Sequence, residues 1–485
     1  MSTFTYIKRA DGQAWRLPTG HFINGQFVPS VSGATFSTVD PSTGDVIAKI
    51  SDAEKEDVDV AVDAARGALQ KWQGLPSAER GRRLYVLADI LQSHSQELAE
   101  LESLDNGKTI SDSLGDVAGI VDVYRYYAGW ADKVAGQVLD FDPSLHAYTR
   151  VEPIGVVGQI IPWNYPLSMQ AWKLAPALAC GNTVVMKTSE KTPLSALRVC
   201  ELSLGADIPP GVINVLSGHA PAGEAIARHP SIDKVAFTGS TAVGRKVMVM
   251  AAESNLKKVT LELGGKSPNI VFEDADVDKA VEACHGGIYD NLGQNCCAGS
   301  RIFVHEGVHD VFVEKFKQRM SRNVVGAPTD PSTTYGPIVD AVQFGTVTNY
   351  IDLGKQEGAT LLAGGTKPSN TNSNGFFLSP ALFINVNPSM KIYKEEIFGP
   401  VACVVKFKTE DEVLRLANDT QYGLAAAVHT RDVKRAIRVE KKLKAGIVWV
   451  NTYNITPPQM PFGGYKMSGI GRELGEYGLR EYTRK

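Results

Sequence analysis

Between residues 156 and 261, short apolar runs alternate with helical patterns, and this alternation constrains the fold more than any other feature. Strand-like runs occupy 156–161, 183–186, 212–216, 234–237 and 258–261. Helical patterns fill the gaps at 167–180, 192–205, 221–228 and 242–252. Gly181 stops the first, and Thr192 followed by Pro193 opens the second. Strands separated each time by a helix have no hairpin route to their neighbours, so they are expected to run parallel. Five of them predict a doubly wound α/β sheet with helices on both faces.

A second α/β series follows Pro268, with strands expected at 269–272 and 301–305 and helices at 277–289 and 308–320. It resumes with strands at 376–384, 401–407 and 447–451 and a helix at 410–418. Upstream, 51–104 reads as two helices, the first opened by a capping box of Ser51 and Glu54 and the second by Ser77. The pattern continues helical over 113–137, and the polar stretch 365–375 reads as a surface loop. A chain of 485 residues exceeds what one core supports, in keeping with two or three domains.

Chemistry concentrates in the loop Gly293-Gln294-Asn295-Cys296-Cys297-Ala298-Gly299-Ser300. A thiol among small, turn-forming polar residues suits a nucleophile, whereas a structural cysteine sits among apolar neighbours. Cys180, Cys200, Cys284 and Cys403 are of the second kind. In Leu261-Glu262-Leu263-Gly264-Gly265-Lys266 a carboxylate stands in apolar company, the setting that raises a carboxyl pKa and makes a base near neutral pH. Thiol and tuned base together point to covalent catalysis with hydrolysis of the adduct.

For a phosphate site the sequence offers no G-x-G-x-x-G. The nearest strand-to-helix turn is Phe237-Thr238-Gly239-Ser240-Thr241-Ala242-Val243-Gly244, which reads either as a nucleotide site or as a plain tight turn. Lys187 and Glu190, past another strand end, suit ribose hydroxyls, and a carboxylate there repels a 2′-phosphate; a solvated ion pair is the other reading. Asn164, between Pro162-Trp163 and Tyr165-Pro166, is either an oxyanion donor on a stiff backbone or a turn residue.

Composition excludes other classes. A formal charge of -3 gives no electrostatic case for nucleic acid or an anionic membrane. No apolar run approaches the ~18 residues of a membrane span. Residues 1–17 lack a secretory or transit-peptide profile, so a cytoplasmic location is expected. Six cysteines without a CxxC pair or zinc spacing predict free thiols and no metal.

Taken together, PWNYPL, LELGGKSP, GQNCCAGSR, EEIFGP and PFGGYKMSGIGRELGEYG resemble the aldehyde dehydrogenase superfamily, in its NAD-dependent, hydrolytic branch. The resemblance runs from about Phe22 to Thr483. It implies a Rossmann-like cofactor domain (1–135 and 152–264), an α/β catalytic domain (265–450) and a small β oligomerisation arm (136–151 and 475–485). Cys296 is then the nucleophile, Glu262 the base, Asn164 with the Cys296 N–H the oxyanion hole, and Lys173 with Glu473 a proton relay. NAD is the implied cofactor. Lys187 and Glu190 would bind its adenosine ribose, Gly239, Ser240 and Gly244 its pyrophosphate, and Glu396 and Phe398 its nicotinamide end, with Ile161, Pro162, Trp163 and Leu263 as further contacts. The implied partner is a small-molecule aldehyde in a pocket of Tyr165, Met169, Trp172, Asp290, Thr456 and Phe462.

Two positions depart from the pattern. Asp290 stands where many family members carry phenylalanine, and Thr456 where many carry an aromatic. An acid beside the pocket suits a cationic aminoaldehyde, while the missing aromatic leaves a cage for a quaternary ammonium incomplete. A broad aliphatic or aromatic aldehyde is expected, with an aminoaldehyde or betaine aldehyde as the alternative. A homodimer is expected; a tetramer is the less favoured form because the chain stops at Lys485.

Overall fold

The computed structural model describes residues 2–8 and 14–485, so part of the N-terminal stretch 1–17 lies outside it. Two large sheets organise the chain. The first has eight strands in the order Gly469–Ile470, Lys258–Glu262, Lys234–Thr238, Val156–Ile160, Thr183–Thr188, Ile213–Ser217, His21–Ile23, Gln26–Val28. Its five central strands are parallel, as their spacing predicts, and antiparallel strands close both edges. Val156–Ile160, Thr183–Thr188, Ile213–Ser217 and Lys234–Thr238 are buried along their whole length, which is why they read as unbroken apolar runs rather than as alternation.

Strand order in this sheet reverses between Val156–Ile160 and Lys234–Thr238. Helix Pro166–Ala179 carries the chain one way from the first of these, and helix Ala220–Arg228 brings it to the second from the other side. The carboxyl ends of the two strands therefore diverge into a crevice, the place where a doubly wound sheet binds ligands.

The second sheet has seven strands in the order Thr360–Ala363, Ala381–Ile384, Val401–Phe407, Arg301–His305, Pro268–Val271, Ala425–His429, Ile447–Val450. All pairs are parallel except the first, and the order reverses between Pro268–Val271 and Ala425–His429. A hairpin of Val138–Leu139 with Ala147–Tyr148 stands apart from both sheets. The C-terminal strand Thr483–Arg484 pairs with Glu152–Pro153, and Tyr482 is buried against the first sheet's core.

Several local expectations are corrected. Ser51 ends a strand, and the helix Lys55–Gln73 is capped by Glu54 with Asp57 instead. Residues 77–106 form two helices, Ser77–Ser93 and Ser95–Asn106, broken at His94, so three helices cover the stretch read as two. The aromatic helix runs Ile110–Trp130 with Thr109 as its cap, ending well before 137. Helix Leu194–Ser203 takes its cap from a distant acid: Asp105 Oδ2 accepts from the Leu194 N–H at 2.8 Å, while Thr192 turns its hydroxyl to the Trp163 carbonyl. Helix Ala341–Gln356 and strand Thr360–Ala363 had no counterpart in the sequence reading.

Candidate active site

The crevice of the first sheet opens into a cavity of about 230 Å³ whose far wall comes from loops and a helix that connect strands of the second sheet. From the end of Val156–Ile160 come Pro162, Trp163, Asn164 and Tyr165, and from the following helix Met169. Lys234–Thr238 and its turn supply Thr238, Gly239 and Ser240, and the end of Lys258–Glu262 supplies Glu262, Leu263 and Gly264. Cys296, Glu396, Phe398 and Gln343 face them.

The Gly239–Gly244 turn starts a helix at the cavity wall. Ser240 caps the helix Thr241–Ser254, accepting from the Val243 N–H at 3.4 Å. A β-carbon at Gly244 would come within 2.6 Å of Leu263, so the glycine lets the helix settle on the next strand. Helix N-terminal amides at a cavity wall are a ready phosphate site. Two strands away, Lys187 Nζ donates to the carbonyls of Thr188 (2.8 Å) and Gly218 (2.5 Å) and lies 3.9 Å from Glu190, whose side chain is about a third exposed. Burial lowers the Lys187 pKa, with Glu190 opposing.

The loop of Cys296 approaches the strand that ends in Glu262 closely. A β-carbon at Gly265 would lie 2.5 Å from the Cys296 carbonyl oxygen. Cys296 is half-buried and Cys297 buried, and all six cysteines are free thiols. A hydrogen bond with the neighbouring Cys297 thiol, and then burial, hold the Cys296 thiol well above its ordinary pKa. Cys297 is held by Asn295 Oδ1 (3.2 Å) and Asn454 Oδ1 (3.4 Å), which makes it part of the loop's support.

Glu262 is buried, and its Oε2 has no hydrogen-bond partner among the described residues. Burial, then the Glu473 charge, raises it well above the usual carboxylate range, with Lys173 opposing. An unpaired carboxyl of this kind is suited to taking a proton. Behind it, buried Lys173 contacts Glu473 and donates to Thr238 Oγ1 at 2.6 Å. Asn164 Nδ2 donates one hydrogen to the Gln294 carbonyl at 2.9 Å. That bond orients the amide and leaves its second hydrogen free.

At the opposite end, Glu396 Oε1 accepts from the Gly265 N–H at 3.1 Å, and burial pushes its carboxyl up to about 7. Phe398 packs edge-on against Trp163 with ring centroids 5.2 Å apart. Gln343, absent from the sequence reading, donates from Nε2 to the Phe398 carbonyl at 2.8 Å and fixes that segment. Its only sequence signal is Asp340, which caps the helix that carries it.

Tyr165 and Met169 line the cavity, but Trp172, Asp290, Thr456 and Phe462 lie off its wall. Trp172 and Phe462 pack edge-on on each other at 5.2 Å. Asp290 turns its carboxylate to the Tyr165 hydroxyl at 2.9 Å.

Residues 27–485 match the sequence model described as "Aldehyde dehydrogenase family". An aldehyde dehydrogenase of Davidiella tassiana is 54% identical over 96% of this chain and 94% of its own. The mitochondrial aldehyde dehydrogenase of Homo sapiens is 54% identical over 95% of this chain and 90% of its own. The structure of an NAD+ complex of aldehyde dehydrogenase from Bacillus cereus superposes with a TM-score of 0.94 at 48% identity, covering 96% of this chain and 95% of that one. By sequence over nearly its whole length, and by fold, this chain belongs to the aldehyde dehydrogenase family.

Proposed function

We propose that this protein oxidises aldehydes to carboxylic acids with NAD as cofactor, through an acyl group carried on Cys296. The observation that carries the reading is the meeting, in one cavity, of a half-buried thiol, an unpaired buried carboxyl and an oriented amide donor. The crevice fits the cofactor: it pairs a capped helix N-terminus with a lysine–glutamate pair for ribose hydroxyls, and Glu190 disfavours a 2′-phosphate. Glu396 and Phe398 would hold the nicotinamide end beside Cys296. NAD bound there supplies the acceptor for the hydride that leaves the substrate carbon.

The chain's own residues do the rest. Cys296 Sγ adds to the aldehyde carbon as its proton passes to Glu262. Asn164 Nδ2–H and the Cys296 backbone N–H hold the oxygen that becomes negative. Glu262 passes the proton towards Glu473 and Lys173, which resets it as a base. In the second half it takes a proton from water, whose oxygen attacks the thioester and returns Cys296 to a thiol.

A broad aliphatic or aromatic aldehyde is the substrate class. The aminoaldehyde alternative draws less support, because Asp290 spends its carboxylate on Tyr165 rather than presenting it to the cavity. The exposed apolar hairpin residues Val138, Phe141, Leu145 and Tyr148 support a homodimer, which sedimentation would test. Among the described residues no helix is long and apolar enough to cross a membrane. The human relative is named mitochondrial.

NADH formation from NAD and acetaldehyde, followed by absorbance in wild type and Cys296→Ala, tests the reading. Turnover in the first and none in the second is expected; equal rates, or no turnover of any simple aldehyde by the wild type, would overturn it.

A further inference from the structure

Asp290 is the C-cap of helix Val277–Tyr289, and its side chain points back into the protein. Its Oδ2 accepts from the Tyr165 hydroxyl at 2.9 Å and from Asn454 Nδ2 at 3.5 Å. Tyr165 follows Asn164 directly, and its ring forms cavity wall. The ring is gripped a second time by buried Lys108, whose Nζ sits 3.9 Å from the centroid and is itself pinned by Asp116 and, at 4.0 Å, by Glu102. Held at hydroxyl and face, the phenol has little freedom to tilt.

The residue beside Asp290 reaches the same segment. Asn291 Nδ2 donates to the Asn164 carbonyl at 2.8 Å and to the Gln294 carbonyl at 3.3 Å. Asn291, Leu292 and Gly293 have φ of +46°, +54° and +67°, three left-handed residues in succession. Such a path persists only where surrounding contacts over-determine it. It leads straight to Gln294, whose carbonyl orients the Asn164 amide, and on to Cys296.

We propose that Asp290 is a positioning residue for the oxyanion donor: its carboxylate, through Tyr165, and the adjacent Asn291 amide lock the Asn164 segment in register with the nucleophile's loop. This deepens the function proposed above and rests on the roles given there to Asn164 and Cys296. The carboxylate acts on geometry, so its loss should appear in kcat rather than in KM for a small aldehyde. A misplacement of about 1 Å at such a site costs up to ~10²-fold in rate.

Tyr165→Phe, Asp290→Leu, their double variant and Asp290→Asn decide the matter, assayed for acetaldehyde oxidation and for hydrolysis of p-nitrophenyl acetate. The ester needs the thiol and the oxyanion donors but no cofactor. Tyr165→Phe and Asp290→Leu are each expected to lose about ten- to a hundredfold in kcat in both assays, the range for a hydrogen bond to a charged group. The double variant should lose no more than the worse single, because both remove the same contact. Asp290→Asn keeps an acceptor and should recover most of the loss. Losses that multiply in the double variant, or a kcat unchanged in Tyr165→Phe, would overturn the proposal. Tyr165→Phe deletes only one oxygen, so it decides the question even where Asp290→Leu does not fold. A wild type that cleaves the ester but oxidises no aldehyde would sink the functional reading alone, and the ester data would then judge the positioning role.

Discussion

The two sheets of this molecule share a plan and differ in what fills their crevices. Each is parallel at its centre, and each reverses strand order once, between Val156–Ile160 and Lys234–Thr238 in the first and between Pro268–Val271 and Ala425–His429 in the second. In the first, the strand ends part around a cavity, and a carboxyl on its wall, Glu262, keeps an oxygen without a partner among the described residues. In the second, Asp274 spans the reversal. It accepts from Thr430 Oγ1 (2.8 Å), from the N–H groups of Arg431 (3.1 Å) and Asp432 (3.0 Å), and from Arg435 Nη1 (2.9 Å). The Arg431 and Asp432 amides at that strand end are thus taken by the protein itself.

The two acids shift in opposite directions. Burial raises Glu262 well above the usual carboxylate range. Burial also pushes Asp274 up, but the Thr430 hydrogen bond and the Arg435 charge outweigh it and hold the carboxyl below that range. One acid is left ready to take a proton and the other is locked in its charged form. Topology sets where a site can be, and residue chemistry decides whether there is one.

Substitutions should separate the crevices cleanly. Cys296→Ala is expected to lower aldehyde oxidation by on the order of 10⁵-fold without changing the melting temperature, because it removes the covalent route and little volume. Asn164→Ala should cost ~10²–10³ in kcat as one oxyanion donor is lost. In the other crevice, Asp274→Ala should leave kcat unchanged and destabilise the fold by about 1–3 kcal/mol, read by thermal or denaturant melts. A large loss of activity in that variant would break the contrast.

Acidity provides a finer test. A carboxyl whose folded pKa is depressed contributes stability above its unfolded value, near ~3.9, that is lost as pH falls through the folded value. Wild type should therefore lose stability in acid below about pH 4, and Asp274→Asn should abolish that share of the loss. For Glu262 the sign reverses. A raised carboxyl contributes stability below its unfolded value, and that stability is lost as pH rises through the folded value. Glu262→Gln should accordingly melt higher than wild type at neutral and alkaline pH.

The parts legible in the sequence were those written locally. The alternation at 156–261 marked the first sheet because each strand is buried on both faces and each helix has its own start and stop. Cys296, Glu262 and Asn164 stood out because a polar reactive group sits at a strand end or in a loop among small or apolar residues. What failed was long-range. Asp105 caps a helix 89 residues further on, which no local pattern can show. Helix Ala341–Gln356 is rich in glycine, threonine and valine, all poor helix formers, and it buries only Val347, Ile351 and Gly354. Gln343 was lost with it. The sequence shows neither Asp290's partner Tyr165, 125 residues away, nor the left-handed turn after it.

The central claim is that an acyl group rests on Cys296 until Glu262 activates water. Intact-protein and peptide mass spectrometry of Glu262→Gln, mixed with NAD and acetaldehyde, tests it most directly. One acetyl group per chain, mapped to Cys296 and accumulating with a single equivalent of NADH, more slowly than in wild type because Glu262 also takes the thiol proton, is the predicted result. Steady turnover at the wild-type rate, or an NADH burst with no adduct on Cys296, would contradict the account.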